Sequence, residues 1–136
     1  MNKDELFRDI TSMLDKRQEI LFGYIHGSII SSSVSRDIDV AVFLDPRHYE
    51  KLVEMGEVNI GYAIPLEMEI EKNIGKKADV QILNGAPLGF QFQVINSGKL
   101  VTDRDSDARA DFECLTRVHY FDFRPRVQEY LREITT

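Results

Sequence analysis

Cysteine is almost missing from these 136 residues: Cys114 stands alone, which excludes an internal disulfide and suits a reducing compartment, so a cytoplasmic protein is expected. No apolar run approaches the roughly 20 residues of a membrane-spanning helix. The opening MNKDELFRDI carries charges every few residues, unlike a secretion signal, so neither a membrane segment nor a leader is expected. Positive charge is also scarce, with 17 Lys and Arg against 23 Asp and Glu and a net charge of -6 at pH 7. Affinity for a nucleic-acid backbone comes largely from clustered Lys and Arg, which argues against direct nucleic-acid binding and a polymerase-like role. Repeats and linkers are absent too, and the length is that of one domain able to bury a core without staples. A single domain over residues 1–136 is expected, with a helical C-terminal segment from about residue 105.

Helices and strands alternate along the chain. Lys3 to Lys16 reads as an amphipathic helix with Leu6, Ile10, Met13 and Leu14 on one side. Ile20 to His26 and Ile38 to Leu44 read as strands, the second ended by Asp45-Pro46. A short helix is expected around Tyr49 to Met55, with breaks at Gly56 and Gly61. Pro65 suits the first turn of a further helix carrying Leu66, Ile70 and Ile74 on one face, with Gly75 placed to close it. A strand from Asp79 to Leu83 follows, then a helix from Pro87 to Ser97 with Leu88, Phe92 and Ile95 inward, and a short strand from Lys99 to Thr102. From Asp103 onward one long helix is expected, kinked or split at Pro125. The pattern predicts a small α/β (α+β) fold, a mixed sheet covered mainly on one face by helices.

The chemistry concentrates in HGSIISSSVSRDIDVAVFL, residues 26–44. Residues i and i+2 of a strand point to one face, so Asp37 and Asp39 stand together, about 6.6 Å apart along the backbone, while Ile38, Val40, Val42 and Leu44 share the opposite face. Two ionised acids on one face repel unless a cation lies between them. Mg²⁺ suits that place, because it takes hard oxygen ligands and is shared between carboxylates and substrate phosphates. The Gly27-Ser28 turn supplies a second element: glycine allows close backbone approach to a phosphate, and turn N–H groups with the Ser28 hydroxyl can hold its oxygens. A third acid, Asp79, heads Ala78-Asp79-Val80-Gln81-Ile82-Leu83 on the face opposite Val80 and Ile82.

Gly27-Ser28, Asp37-x-Asp39 and the later strand-borne Asp79 resemble the active-site signature of the DNA polymerase β-type nucleotidyltransferase superfamily, over about Leu21 to Asp103. The length resembles its minimal nucleotidyltransferases (MNT), and the small stand-alone members resemble the antitoxin half of HEPN-MNT toxin-antitoxin pairs. The resemblance implies the polymerase β-type nucleotidyltransferase fold and an Mg²⁺-dependent protein adenylyltransferase that moves AMP from ATP to a tyrosine of a HEPN ribonuclease and silences it. It also implies a stable complex with that toxin and possible self-association. Asp37, Asp39 and Asp79 would be the catalytic and metal-binding acids, holding two Mg²⁺ about 3.5–4 Å apart. Gly27 and Ser28 would bind the nucleotide. Two rivals stand beside this reading: an MNT-fold antitoxin that acts by masking its toxin, and a small-molecule nucleotidyltransferase.

The chain departs from the family pattern in two ways. Eight residues separate Gly27-Ser28 from Asp37 where the family usually has about ten, and they are rich in serine: Ser31, Ser32, Ser33 and Ser35. Arg36 precedes Asp37 where serine is common. Both changes fall on the rim of the nucleotide pocket and neither removes an acid. Only about thirty residues follow the last strand, so the acceptor is expected on a surface, which suits a protein substrate. Other residues have plainer readings. His26 reads as packing at a strand end, Lys76 and Lys77 as a solvated loop, and Glu67, Glu69 and Glu71 as the wet face of a helix. His119, one residue after Arg117-Val118, lacks the spacing of the HEPN ribonuclease motif, and Tyr62, Tyr120 and Tyr130 suit either core or partner contacts.

Overall fold

The computed structural model describes the backbone of residues 2–31 and 37–135 and, apart from 123–127 and 135, their side chains. Ser32, Ser33, Ser35 and Arg36 of the serine-rich loop lie outside the described residues. Helix α1 (Lys3–Asp15) begins where the Asn2 side chain accepts the Glu5 N–H at 2.8 Å, one of the donors a helix start leaves unpaired. Leu6, Ile10, Met13 and Leu14 are its buried stripe, at the expected spacing. Strand β1 (Ile20–His26) is followed by one turn of helix, α2 (Ser28–Ser31), then β2 (Asp37–Leu44).

Pro46 does more than end β2. With Asp45 capping through its carboxylate (Arg47 N–H to Oδ1, 2.9 Å), it starts α3 (Pro46–Met55), which begins earlier than Tyr49. A π-helical turn, Val58–Ala63, then runs directly into α4 (Ile64–Ile74), so Gly61 lies inside helical structure. Gly75 ends α4 at φ +80°, a left-handed conformation that other residues rarely adopt. Strand β3 (Lys77–Ile82), α5 (Leu88–Ser97), β4 (Lys99–Asp103) and α6 (Ser106–Thr135) complete the chain. Pro125 does not end α6, and its side chain lies outside the described residues.

Among the described residues four strands form one mixed sheet in the order β3-β2-β1-β4, with β1 antiparallel to β2 and β4 and β2 parallel to β3. Its two faces carry separate cores. Ile25, Ile38, Val40, Val42 and Val80 meet the stripes of α1 and α4 in the larger one. On the other face Phe22, Tyr24, Ala41 and Leu83 meet Val94 and Ile95 of α5 and the first turns of α6. Here Phe22 stacks on Phe43 with ring centroids 4.8 Å apart, and Phe112 of α6 lies 5.5 Å from Phe22 and 5.2 Å from Phe43. Phe92 stacks on Tyr120 at 3.9 Å and so ties α5 to α6. Tyr120 is therefore packed against its own chain, and Tyr62 is buried with its hydroxyl 3.2 Å from Glu19, whereas Tyr130 is exposed.

Glu67, Glu69 and Glu71 are not a wet face. Glu69 pairs with Arg17 of the loop after α1 at 2.7 Å. Glu71 Oε1 accepts the Ala78 N–H at 3.0 Å and Glu67 Oε1 the Val80 N–H at 2.9 Å, so α4 occupies hydrogen-bonding groups along the outer edge of β3. Beyond β3 the Asn84 amide continues the ladder with a side chain, accepting from Leu44 N–H at 2.8 Å and donating to Leu44 C=O at 2.9 Å. Among the described residues no helix is long and apolar enough to cross a membrane.

Candidate active site

The strand register brings the acids together. Asp39 is paired laterally with Asp79 on β3 and with His26 on β1, and laterally paired residues share a face of a sheet. Asp37 shares that face by the two-residue period and is paired with Lys77. Their neighbours Ile25, Ile38, Val40, Ala78 and Val80 are buried on the opposite face. The acids thus sit on the face of the aromatic core, at the end where that core stops. Asp37 and Asp79 are exposed and Asp39 is half-buried.

Gly27 closes the site against β1. Its φ is +83°, and a Cβ placed there would stand 2.2 Å from Asp39 Oδ2. The missing side chain is the space the carboxylate uses. Ser28 opens α2, whose first turn is formed by Ile30 N–H donating to Gly27 C=O at 3.2 Å. Recesses flank the row of acids. One, about 390 Å³, is bounded by His26, Gly27, Ser28, Gln93 and Ser97. The other is an open groove of about 840 Å³ outside β3, whose wall includes Asp79, Ile64, Asn84 and Phe90.

Electrostatics follow from this crowding. Burial pushes the Asp39 carboxyl above the usual carboxylate range; His26 draws it down, and Asp79 and Asp37 push it up again. Burial lowers the His26 imidazole, against the opposing pull of Asp39 and Asp79. Its Nε2 is buried without a hydrogen-bond partner among the described residues, and the ring meets Phe90 edge-on at 5.6 Å. His26 packs as expected at a strand end, yet it is also the neighbour whose charge state Asp39 feels. Lys77 is exposed at the start of β3, beside Asp37 in register. His119 is exposed on α6.

The donor set is all hard oxygen. Carboxylates aligned on adjacent strands, with Asp39 pressed against the Gly27 turn where a Cβ would clash, suit a divalent cation shared with phosphate and water. Among the described residues no three His, Cys, Asp or Glu side chains close a metal cage by themselves. Asp37, Asp39 and Asp79 are the residues able to hold such an ion.

The family described as polymerase beta, nucleotidyltransferase, matches residues 8–107, and the chain belongs to that family. Its fold is also that of three solved assemblies. The crystal structure of the toxin-antitoxin MntA-HepT contains a chain superposing with a TM-score of 0.68 at 16% identity, over 98% of this chain and 100% of that one. A chain from the tri-AMPylated Shewanella oneidensis HEPN toxin in complex with MNT antitoxin gives 0.68 at 17% identity, over 98% of each. A toxin-antitoxin structure with AMP-PNP gives 0.69 at 19%, over 96% of this chain and 98% of the other. At such identities the likeness is one of fold. No curated protein sequence matches the chain significantly.

Proposed function

We propose that this chain is an Mg²⁺-dependent protein adenylyltransferase that transfers AMP from ATP to a tyrosine of a cognate HEPN toxin and thereby acts as its antitoxin. The observation that carries the reading is the alignment of Asp39 and Asp79 across adjacent strands, with Asp37 on the same face and the Gly27 turn packed against Asp39. Membership of the nucleotidyltransferase family supports the reaction class, and the AMPylated toxin and the AMP-PNP in the similar assemblies support the nucleotide and the partner. The whole chain, 1–136, works as one domain in the cytoplasm, in a complex with its toxin.

In this reading Asp37 and Asp39 would hold the Mg²⁺ that accompanies the triphosphate, and Asp79 with Asp39 would face the acceptor. Bound Mg²⁺ supplies charge neutralisation of the phosphates and a lowered pKa for the attacking hydroxyl. The Gly27-Ser28 backbone and the Ser28 hydroxyl hold phosphate oxygens and orient the α-phosphate. A tyrosine Oη attacks the α-phosphorus, a new P–O bond forms, the bond to the β-phosphate oxygen breaks and pyrophosphate leaves. Asp79, on the wall of the open groove, accepts the tyrosine proton. An acceptor bound at an open groove needs no second domain, which suits a folded protein bringing its own recognition surface.

The test is the intact mass of the toxin encoded beside this chain, after incubation with the chain, ATP and Mg²⁺ and alongside an Asp37→Asn/Asp39→Asn control. Mass gained in steps of one AMP and lost in the control is the expected result. An unmodified toxin that still co-purifies would replace transfer with masking, and pyrophosphate release with small amines alone would indicate a small-molecule enzyme.

A further inference from the structure

Asp79 is carried on an edge strand, since among the described residues β3 pairs with β2 alone. An edge strand presents alternate N–H and C=O groups outward with nothing of the sheet to hold them, and it frays more readily than an interior strand. Leu83 N–H turns inward to Val42 C=O at 2.8 Å, so by alternation residues 79 and 81 also face β2, while 78, 80 and 82 face out. The outward amides of Ala78 and Val80 flank Asp79, and they are the two that Glu71 and Glu67 accept, at 3.0 and 2.9 Å.

The clasp is built into α4. Glu67 and Glu71 are one helical turn apart, matching the two-residue repeat of outward amides on β3, and the tight turn at Gly75 brings the strand back alongside the helix. Both glutamates are half-buried, and bonds to a carboxylate are stronger than neutral ones. Asp79 itself is exposed, its carboxylate receiving a long 3.4 Å contact from Gln81 Nε2. Its placement beside Asp39 is thus imposed largely through its backbone.

We propose that Glu67 and Glu71 are positioning residues for Asp79, holding the edge-strand peptides on either side of it so that its carboxylate stays aligned with Asp39. This rests on the adenylyltransferase reading for its effect on rate, but the clasp itself can be read without activity. Amide hydrogen exchange followed residue by residue in the full chain tests it directly. In E67A, exchange at Val80 and Asp79 is expected to accelerate about tenfold while Ala78 stays protected, and in E71A the acceleration moves to Ala78 and Asp79. For AMP transfer kcat is expected to fall about tenfold in E67A, with KM for ATP unchanged because Asp37, Asp39 and the Gly27 turn are untouched. E67Q keeps the Oε1 acceptor and is expected to restore both protection and kcat. Unchanged exchange at Asp79 in E67A overturns the proposal, and so does an E67Q as slow as E67A, which would make the negative charge the working feature. If the wild-type chain transfers no AMP, the adenylyltransferase reading falls while the Asp79 exchange still decides the clasp. Should E67A not fold, E71A carries the same test at Ala78.

Discussion

Asp39 is constrained from several sides at once: partial burial, two acids on its own face, and Gly27 so close that a Cβ there would meet its Oδ2. Its carboxyl is raised in the fold, so the folded state holds the proton more tightly than the unfolded chain, and stability is lost as pH rises through the folded value. Asp39→Asn should therefore melt at least as high as the wild type at pH 7, the difference closing as pH falls through the carboxylate range, while transfer of AMP is abolished. Thermal melts over a pH series and an intact-mass assay check the two halves, and retained transfer would remove Asp39 from the mechanism. Gly27→Ala meets both a positive φ and a 2.2 Å clash with Oδ2, and is expected to cost about 1–2 kcal/mol in denaturant unfolding together with most of the activity. The shared face of Asp37 and Asp39 was legible because a strand repeats every two residues. The contact between Gly27 and Asp39 was not, because nothing local states which strand will lie beside the turn.

The helices show how far local signals reach. Asn2 and Gly75 mark ends whose chemistry is local, and the structure places helix ends at both; Pro65 lies in the first turn of α4 as read, although a π-helical turn already leads into it. Pro46 was read as ending a strand, and it also starts α3; a proline at N1 lacks only an N–H that the helix would leave unpaired. The glutamates of α4 show the limit of such reasoning. Alternating acids on a helix look solvated until a strand edge is known to lie against them, and the i, i+4 spacing of Glu67 and Glu71 is the one sequence signal that hinted otherwise. The junction of α5 and α6 rests on the stack of Phe92 on Tyr120, with Phe121 edge-on at 5.6 Å. In a double-mutant cycle, Phe92→Leu and Tyr120→Leu are expected to couple by about 0.5–1.5 kcal/mol. Additive losses in urea unfolding would show that the stack adds nothing beyond burial.

At the scale of the whole molecule, three carboxylates reach one end of one sheet face by three routes: Asp37 and Asp39 by period, Asp79 by parallel pairing of β3 with β2. Neutralising Asp37 and Asp39 should leave the cores intact, since Ile38 and Val40 face the other way. If the proposed function holds, the Asp37→Asn/Asp39→Asn variant is accordingly expected to co-purify with the toxin encoded beside it as well as the wild type does and to add no AMP to it. Loss of the complex in a folded variant would place the acids in the interface. By itself the sequence determined the alternation of helices and strands, the buried stripes and the family signature, because hydrophobic period, caps and the spacing of acids along one strand are properties of neighbouring residues. Only the tertiary structure decided the strand order, the aromatic core on the acids' face, the half-buried His26 beside Asp39 and the clasp on the amides that flank Asp79. Each of these joins segments distant in the chain, and the pairing of strands and the burial that shifts a charge are set by what folds against a residue, not by what precedes it.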